Sequence, residues 1–129
     1  MAASALIIED NLRDVRSATE VLNQVGAERV ELISAFGAAC LAFENICNGA
    51  RSAPELVILD LDFGVDSGFE LLRLWKSHRP QFQATRVVVW TIMPELDRKI
   101  AQLFGVEVVS KHCGSSELRR VLSLASPVT

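Results

Sequence analysis

Short apolar runs alternate with longer amphipathic stretches along the whole chain, and this pattern limits the fold more than any single motif does. The runs are ALII (5–8), RVELISA (29–35), LVIL (56–59), RVVVW (86–90) and VEVVS (106–110). They are rich in Val, Ile and Leu and mostly lack strict polar alternation, as strands buried on both faces do. Between them apolar residues recur at helical spacing. Leu12, Val15, Ala18, Leu22 and Val25 form one face, stopped by Gly26, and Ala39, Cys40, Phe43, Ile46 and Cys47 form a second, ending near Asn48-Gly49. A third starts at Ser67, with Glu70 three residues on as a capping box, and carries Phe69, Leu72 and Trp75 as far as Pro80. Pro94 suits the first turn of a fourth, bearing Leu96, Ile100 and Leu103 and closed by Gly105. Leu118, Val121, Leu122 and Ala125 make the fifth, ahead of Pro127.

The sum is a doubly wound (βα)5 unit of class α/β: a five-stranded parallel sheet with crossover helices on both faces. A chain of 129 residues, 50% hydrophobic, is one domain's worth and can bury a core without disulfide staples. A single domain over 1–129 is expected, with its core at about 5–125 and no output domain beyond. The net charge is -3 and the 13 Lys and Arg are scattered, which argues against direct nucleic-acid binding. Cys40, Cys47 and Cys113 are odd in number and form no CxxC pair, so neither a zinc site nor a secreted disulfide framework fits, and a reducing cytoplasm is expected. The N-terminus lacks a signal-peptide pattern, and no stretch has the length of a membrane span.

In parallel α/β sheets ligands sit beyond the carboxyl ends of the strands. Glu9 and Asp10 end the first run, Asp60 ends the third with Asp62 just beyond, Thr91 ends the fourth and Lys111 the fifth. Acids, a hydroxyl and an ammonium therefore converge on one sheet edge. Clustered carboxylates repel unless a cation joins them. Oxygen ligands without His or Cys favour Mg²⁺, and a phosphoryl group landing on one carboxylate gives the cation, the ammonium and the hydroxyl a common purpose.

These residues carry a resemblance. LIIEDN, LVILDLDFGVDSGFELL, VVVWT and VVSK, in that order, resemble the motifs of response-regulator receiver domains of two-component signalling, over almost the whole chain. The spacings, 50 positions from Asp10 to Asp60, 31 from Asp60 to Thr91 and 20 from Thr91 to Lys111, are similar to those of the family. The resemblance implies a flavodoxin-like sheet in the order 2-1-3-4-5. It makes Asp60 the phospho-acceptor and Asp10 and Asp60 direct Mg²⁺ ligands; Glu9 would act through a metal-bound water and Asp62 through its backbone carbonyl. Lys111 would pair with phosphoryl oxygens, and Thr91 would be the switch hydroxyl. Asp66 and Gly68 match the turn after the acceptor, with Ser67 between them as helix cap. The implied partners are a sensor histidine kinase or phosphotransfer protein, a downstream effector or output domain, and a second copy of the chain. They would act through a face of the fourth helix, fifth strand and fifth helix bearing Arg98, Lys99, Arg119 and Arg120.

Three positions depart from the family pattern. Val108 replaces the usual aromatic before the lysine, so aromatic-threonine coupling is not the switch. Ile92 replaces a small residue after the threonine, where it would crowd an incoming phosphodonor. His112 follows the lysine in place of a cis proline, which predicts a trans loop and a displaced Lys111. Trp90 is expected to pack beside the site, and His112 and His78 to be solvated.

Two other readings fit part of the pattern. A receiver-like fold that has lost phosphorylation would be a constitutive interaction module. LVILDLDFGV also resembles the opening motif of haloacid-dehalogenase-type phosphatases, with Asp60 as nucleophile and Asp62 as general acid. That mechanism wants an acidic pair downstream, whereas the pair here, Glu9-Asp10, lies upstream.

Overall fold

The computed structural model describes residues 4–63, 66–92 and 94–124, with the side chains at 62, 63, 66, 67, 94, 96, 97 and 113 outside that description. The expectations for Ala125 and Pro127, and for the side chains of Asp62, Asp66, Ser67, Leu96 and Cys113, therefore lie outside the described residues. Five strands, β1 (Ser4–Ile8), β2 (Arg29–Ile33), β3 (Leu56–Leu59), β4 (Arg86–Thr91) and β5 (Glu107–Ser110), pair in parallel in the order 2-1-3-4-5. The helices between and after them are α1 (Leu12–Gln24), α2 (Phe36–Cys47), α3 (Phe69–Ser77), α4 (Pro94–Phe104) and α5 (Ser116–Ser123). A two-residue antiparallel ribbon, Asp62–Phe63 against Asp66–Ser67, fills the connection from β3 to α3.

The sheet separates two cores through the twofold alternation of strand side chains. Leu6, Ile8, Val57, Leu59, Val87 and Val89 point to one face, where Ala39, Phe43 and Ile46 of α2 and Leu71, Leu72 and Trp75 of α3 meet them. Ala5, Ile7, Leu56, Ile58, Val88, Trp90 and Val109 point to the other, against Ala18, Val21 and Leu22 of α1 and Leu118 and Leu122 of α5. Each fully buried aliphatic or aromatic side chain contributes about 1.5–3 kcal/mol. Val57 on one face and Val88 on the other, at the centre of the sheet, are both 0% exposed, so both faces of the middle strands are dry.

Four expectations are corrected. Burial on both faces holds for β1, β3 and β4 but not for β2 and β5, of which only Ile33 and Val109 are buried: both are edge strands with a single sheet neighbour. The fourth helix was expected to bury Ile100 and Leu103, yet Leu103 is 74% exposed and Ala101 is buried instead, with Phe104 packed on the core. A one-residue rotation of the apolar stripe brings the smaller alanine against the sheet. Leu12 is likewise 63% exposed, because the inward face of α1 runs through Val15, Ala18, Val21 and Leu22. Finally, Ser67 is not the cap of α3: the ribbon claims it as a strand residue, Gly68 stands at the cap, and no side chain caps the helix. Cys40 and Cys47 are thiols half-buried beside the core, as expected for small packing residues. No helix among the described residues is long and apolar enough to cross a membrane.

Candidate functional site

The parallel ladder itself assembles the site. The Glu9 amide donates to Ile33 O (3.2 Å) and the Asp60 amide to Ile8 O (3.0 Å), so both acids continue their strands for one residue past the sheet and end side by side. Glu9 is 2% exposed and Asp60 6%; Asp10, one residue further out, is exposed. One carboxylate oxygen from each of Glu9, Asp10 and Asp60 lies within 4.8 Å of the others. Asn11 then turns the chain into α1: its Oδ1 accepts from the Asp14 amide, and its own amide donates to Glu9 Oε1 (3.1 Å).

Lys111 reaches this cluster from the far side. Its Nζ donates to Glu9 Oε2 (2.6 Å), Asp14 Oδ2 (2.8 Å) and Asp60 Oδ2 (3.2 Å), and lies 5.2 Å from the centroid of the Trp90 ring. The lysine is not displaced by the missing proline. Ser110 caps a single 3-10 turn, Lys111–Cys113, its hydroxyl accepting from the His112 amide, and this turn does the aiming without a cis peptide bond, of which there is none among the described residues. Thr91 is buried at the end of β4, and Ile92 beside it is 54% exposed rather than packed into the cluster. Val108 lies half-buried against the core on the α2–α3 side, opposite the face that carries Trp90. The aromatic near the lysine thus comes from β4. His112 is exposed, whereas His78 is half-buried, its Nδ1 3.1 Å from Leu74 O at the end of α3.

The electrostatics follow from burial. Loss of water pushes the Glu9 carboxyl up to about 8; the charge of Asp60 adds to this, and the hydrogen bond from Lys111 opposes it. Burial also disfavours charge on Lys111, but hydrogen bonds to Asp14 and Glu9 and the charge of Asp60 outweigh it and hold the lysine above its ordinary range. The chemistry available is that of a hard, oxygen-lined cation site with an ammonium beside one carboxylate.

The site residues named from the sequence are accounted for as follows. Glu9, Asp10, Asp60 and Lys111 meet at one point. Thr91 ends the neighbouring strand, and Asp62 follows Asp60 as the first residue of the ribbon. Asp14 is the residue that sequence reading missed. It stands in the first turn of α1, three residues after the Asn11 cap, a place that by spacing alone looks like an ordinary helix-start acid.

Sequence comparison finds no matching family model and no matching curated relative. Structure comparison is decisive. The phosphorylated cyanobacterial phytochrome response regulator RcpA superposes with a TM-score of 0.74 at 22% identity, over 95% of this chain and 90% of its own. The chain has the fold of a response-regulator receiver domain. The Mn²⁺-bound response regulator Rcp1 (TM-score 0.71, 26% identity, 94% of this chain and 89% of its own) is similar throughout. So is the receiver domain of a Pseudomonas aeruginosa sensor histidine kinase with Mg²⁺ in its active-site cleft (TM-score 0.71, 19% identity, 95% of each chain). The acids of this chain stand at the carboxyl edge of its sheet, where the fold places ligands.

Proposed function

We propose that this receiver domain takes a phosphoryl group onto Asp60 from the phosphohistidine of a sensor histidine kinase or phosphotransfer protein. The resulting acyl phosphate switches a surface read by a downstream effector, an output domain or a second copy of the chain. The observation that carries this reading is the meeting of Glu9, Asp10 and Asp60 within 4.8 Å, with the Lys111 ammonium 3.2 Å from the acceptor carboxylate. The metal in two of the similar structures and the phosphorylation of a third support it.

In this reading Asp10 and Asp60 would hold Mg²⁺ directly, Glu9 would hold it through water, and the backbone carbonyl of Asp62 would complete the protein ligands. Bound Mg²⁺ neutralises charge on the transferring oxygens. An Asp60 carboxylate oxygen forms a bond to phosphorus as the phosphorus–nitrogen bond breaks, and the departing imidazole nitrogen keeps the electron pair. Lys111 and Thr91 then turn to the phosphoryl oxygens. The lysine has only to follow a group growing from a carboxylate it already touches. The chain acts in the cytoplasm as a signalling domain that assists its own phosphorylation and hydrolysis. The surface that responds is that of α4, β5 and α5. There Arg120 is paired with Glu117 of its own helix and Arg119 donates to Gln24 of α1, leaving Arg98 and Lys99 as exposed cations on α4.

Intact-mass measurement after incubation with acetyl phosphate and Mg²⁺ tests the reading. One phosphoryl adduct is expected on the wild type and on Asp62→Ala, and none on Asp60→Ala. A wild type that never gains the adduct is instead a constitutive interaction module, and loss of the adduct in Asp62→Ala favours the phosphatase chemistry.

A further inference from the structure

An ammonium has three N–H donors, and Lys111 spends all three on carboxylates. Two of its partners, Glu9 and Asp60, belong to the three-acid cluster; the third, Asp14, stands outside it on the first turn of α1. A divalent cation held by the cluster and an ammonium on two of its carboxylates are competitors. The Lys111 side chain is only 8% exposed, so when it yields Glu9 and Asp60 to a cation, water does little to take their place. A buried ammonium stripped of its counter-ions is strongly disfavoured. The one partner that a cation in the cluster does not claim is Asp14, which the cap at Asn11 sets in place 2.8 Å from the ammonium.

Resting on the function proposed above, we infer that Asp14 is a positioning residue: it holds the Lys111 ammonium beside Asp60 while Glu9 and Asp60 are given over to the cation. Without the Asp14 charge, Lys111 falls back on Glu9 and Asp60 and competes with the metal for them. Asp14 therefore raises the affinity of a site it does not line. Its action passes through Lys111, so it disappears when the lysine is gone.

The test is a double-mutant cycle read on Mn²⁺ alone, with the free ion quantified by electron paramagnetic resonance. Asp14→Asn should raise the Mn²⁺ dissociation constant by roughly five- to tenfold, as expected for loss of a charge-assisted hydrogen bond at a part-exposed position. Asp14→Glu, which keeps the carboxylate, should recover most of that loss. In a Lys111→Met background the same Asp14→Asn change should alter the constant by less than about twofold, the scatter allowed for uncoupled sites. Circular dichroism spectra matching the wild type establish that each variant is folded. An equal loss in both backgrounds overturns the inference, because Asp14 would then act by its own charge on the metal, and so does no loss in either. A wild type that binds no Mn²⁺ removes the phosphoryl-transfer reading itself, and this inference with it, whereas a wild type that binds Mn²⁺ with no coupling between Asp14 and Lys111 removes the inference alone.

Discussion

Gly68→Ala isolates the packing that holds the acceptor in place. Gly68 has φ -67° and ψ -8°, a conformation open to every L-residue, so alanine meets no backbone strain there. Its obstacle is steric. A Cβ at this position would stand 2.9 Å from Asp60 O, 3.0 Å from Leu61 Cα and 3.2 Å from Leu61 Cδ2. Two of those three atoms are main chain, fixed by the hydrogen bonds that the Asp60 amide donates to Ile8 O and the Gly68 amide to Leu61 O (3.1 Å), so they cannot yield as the end of a flexible side chain would. Overpacking of this kind costs about 1–3 kcal/mol, and the reduced freedom of the unfolded alanine chain returns about 0.5–1, leaving a net loss of about 0.5–2 kcal/mol. For a domain of this size each kcal/mol lowers Tm by about 3–5 °C.

Urea unfolding measures the loss directly, and the control is Gly37→Ala in α2, where a Cβ meets nothing within 4 Å. There alanine should stabilise by about 0.5–1 kcal/mol. Since the crowded carbonyl belongs to Asp60 itself, Gly68→Ala should also slow phosphorylation by acetyl phosphate, and Gly37→Ala should leave that rate unchanged. If Gly68→Ala unfolds within about 0.5 kcal/mol of the wild type, the range of ordinary surface substitutions, the close approach of α3 to the acceptor loop is not what fixes it.

Three further measurements are informative, two of them on the site's charges. The Glu9 carboxyl, pushed up to about 8 by burial, keeps its proton in the folded state where the unfolded chain has lost it, so stability should fall as pH rises from about 4.5 to about 8. Urea midpoints in metal-free buffer at several pH values should show this fall in the wild type and a flatter profile in Glu9→Gln; equal slopes refute it. Lys111→Met leaves three acids around an apolar side chain and should lower Tm without metal. Added Mg²⁺ should raise its Tm more than that of the wild type, and a smaller rise would contradict the competition between lysine and cation. Arg86 makes a two-bond pair with Glu107 and donates to Leu124 O and Val121 O, tying β4 and β5 to the end of α5. Arg86→Ala should cost about 1–3 kcal/mol and speed amide exchange in the last turn of α5; unchanged exchange there would show that the helix end is held by other contacts.

How much of the fold could be read in advance depends on which physical signal each element carries. β3 matches its apolar run residue for residue, because a strand dry on both faces has no polar position to blur its limits. β2 was misjudged for the converse reason: Arg29 and Glu31 in RVELISA already announce an edge, but the run's apolar average hides them. The cap of α3 was misplaced because Ser67 with Glu70 has the form of a capping box. Local side-chain chemistry competes there with a two-residue ribbon, and the ribbon, a contact between segments, has no signature at that spacing. In α4 the helix period was right and its phase was wrong. Hydrophobicity ranks Leu103 above Ala101, whereas close approach of a helix to the sheet favours the smaller residue.

The site divides along similar lines. Strand ends project their residues to one edge of a parallel sheet, so Glu9, Asp10, Asp60, Thr91 and Lys111 were legible once the strands were. The expected displacement of Lys111 was an error of a particular kind: it assigned the aim of the side chain to a single peptide bond, when three carboxylates and the Ser110 cap determine it together. Asp14 stayed hidden because an acid in the first turn of a helix already has an ordinary explanation, the helix dipole. What makes it more than a dipole partner is a lysine 97 positions away, brought to 2.8 Å by the order of the strands. A charge whose meaning depends on that crossing cannot be separated from a solvated one by spacing alone. The three-acid cluster was foreseeable because its members are strand ends, and the fourth acid was not because it is held by a helix cap.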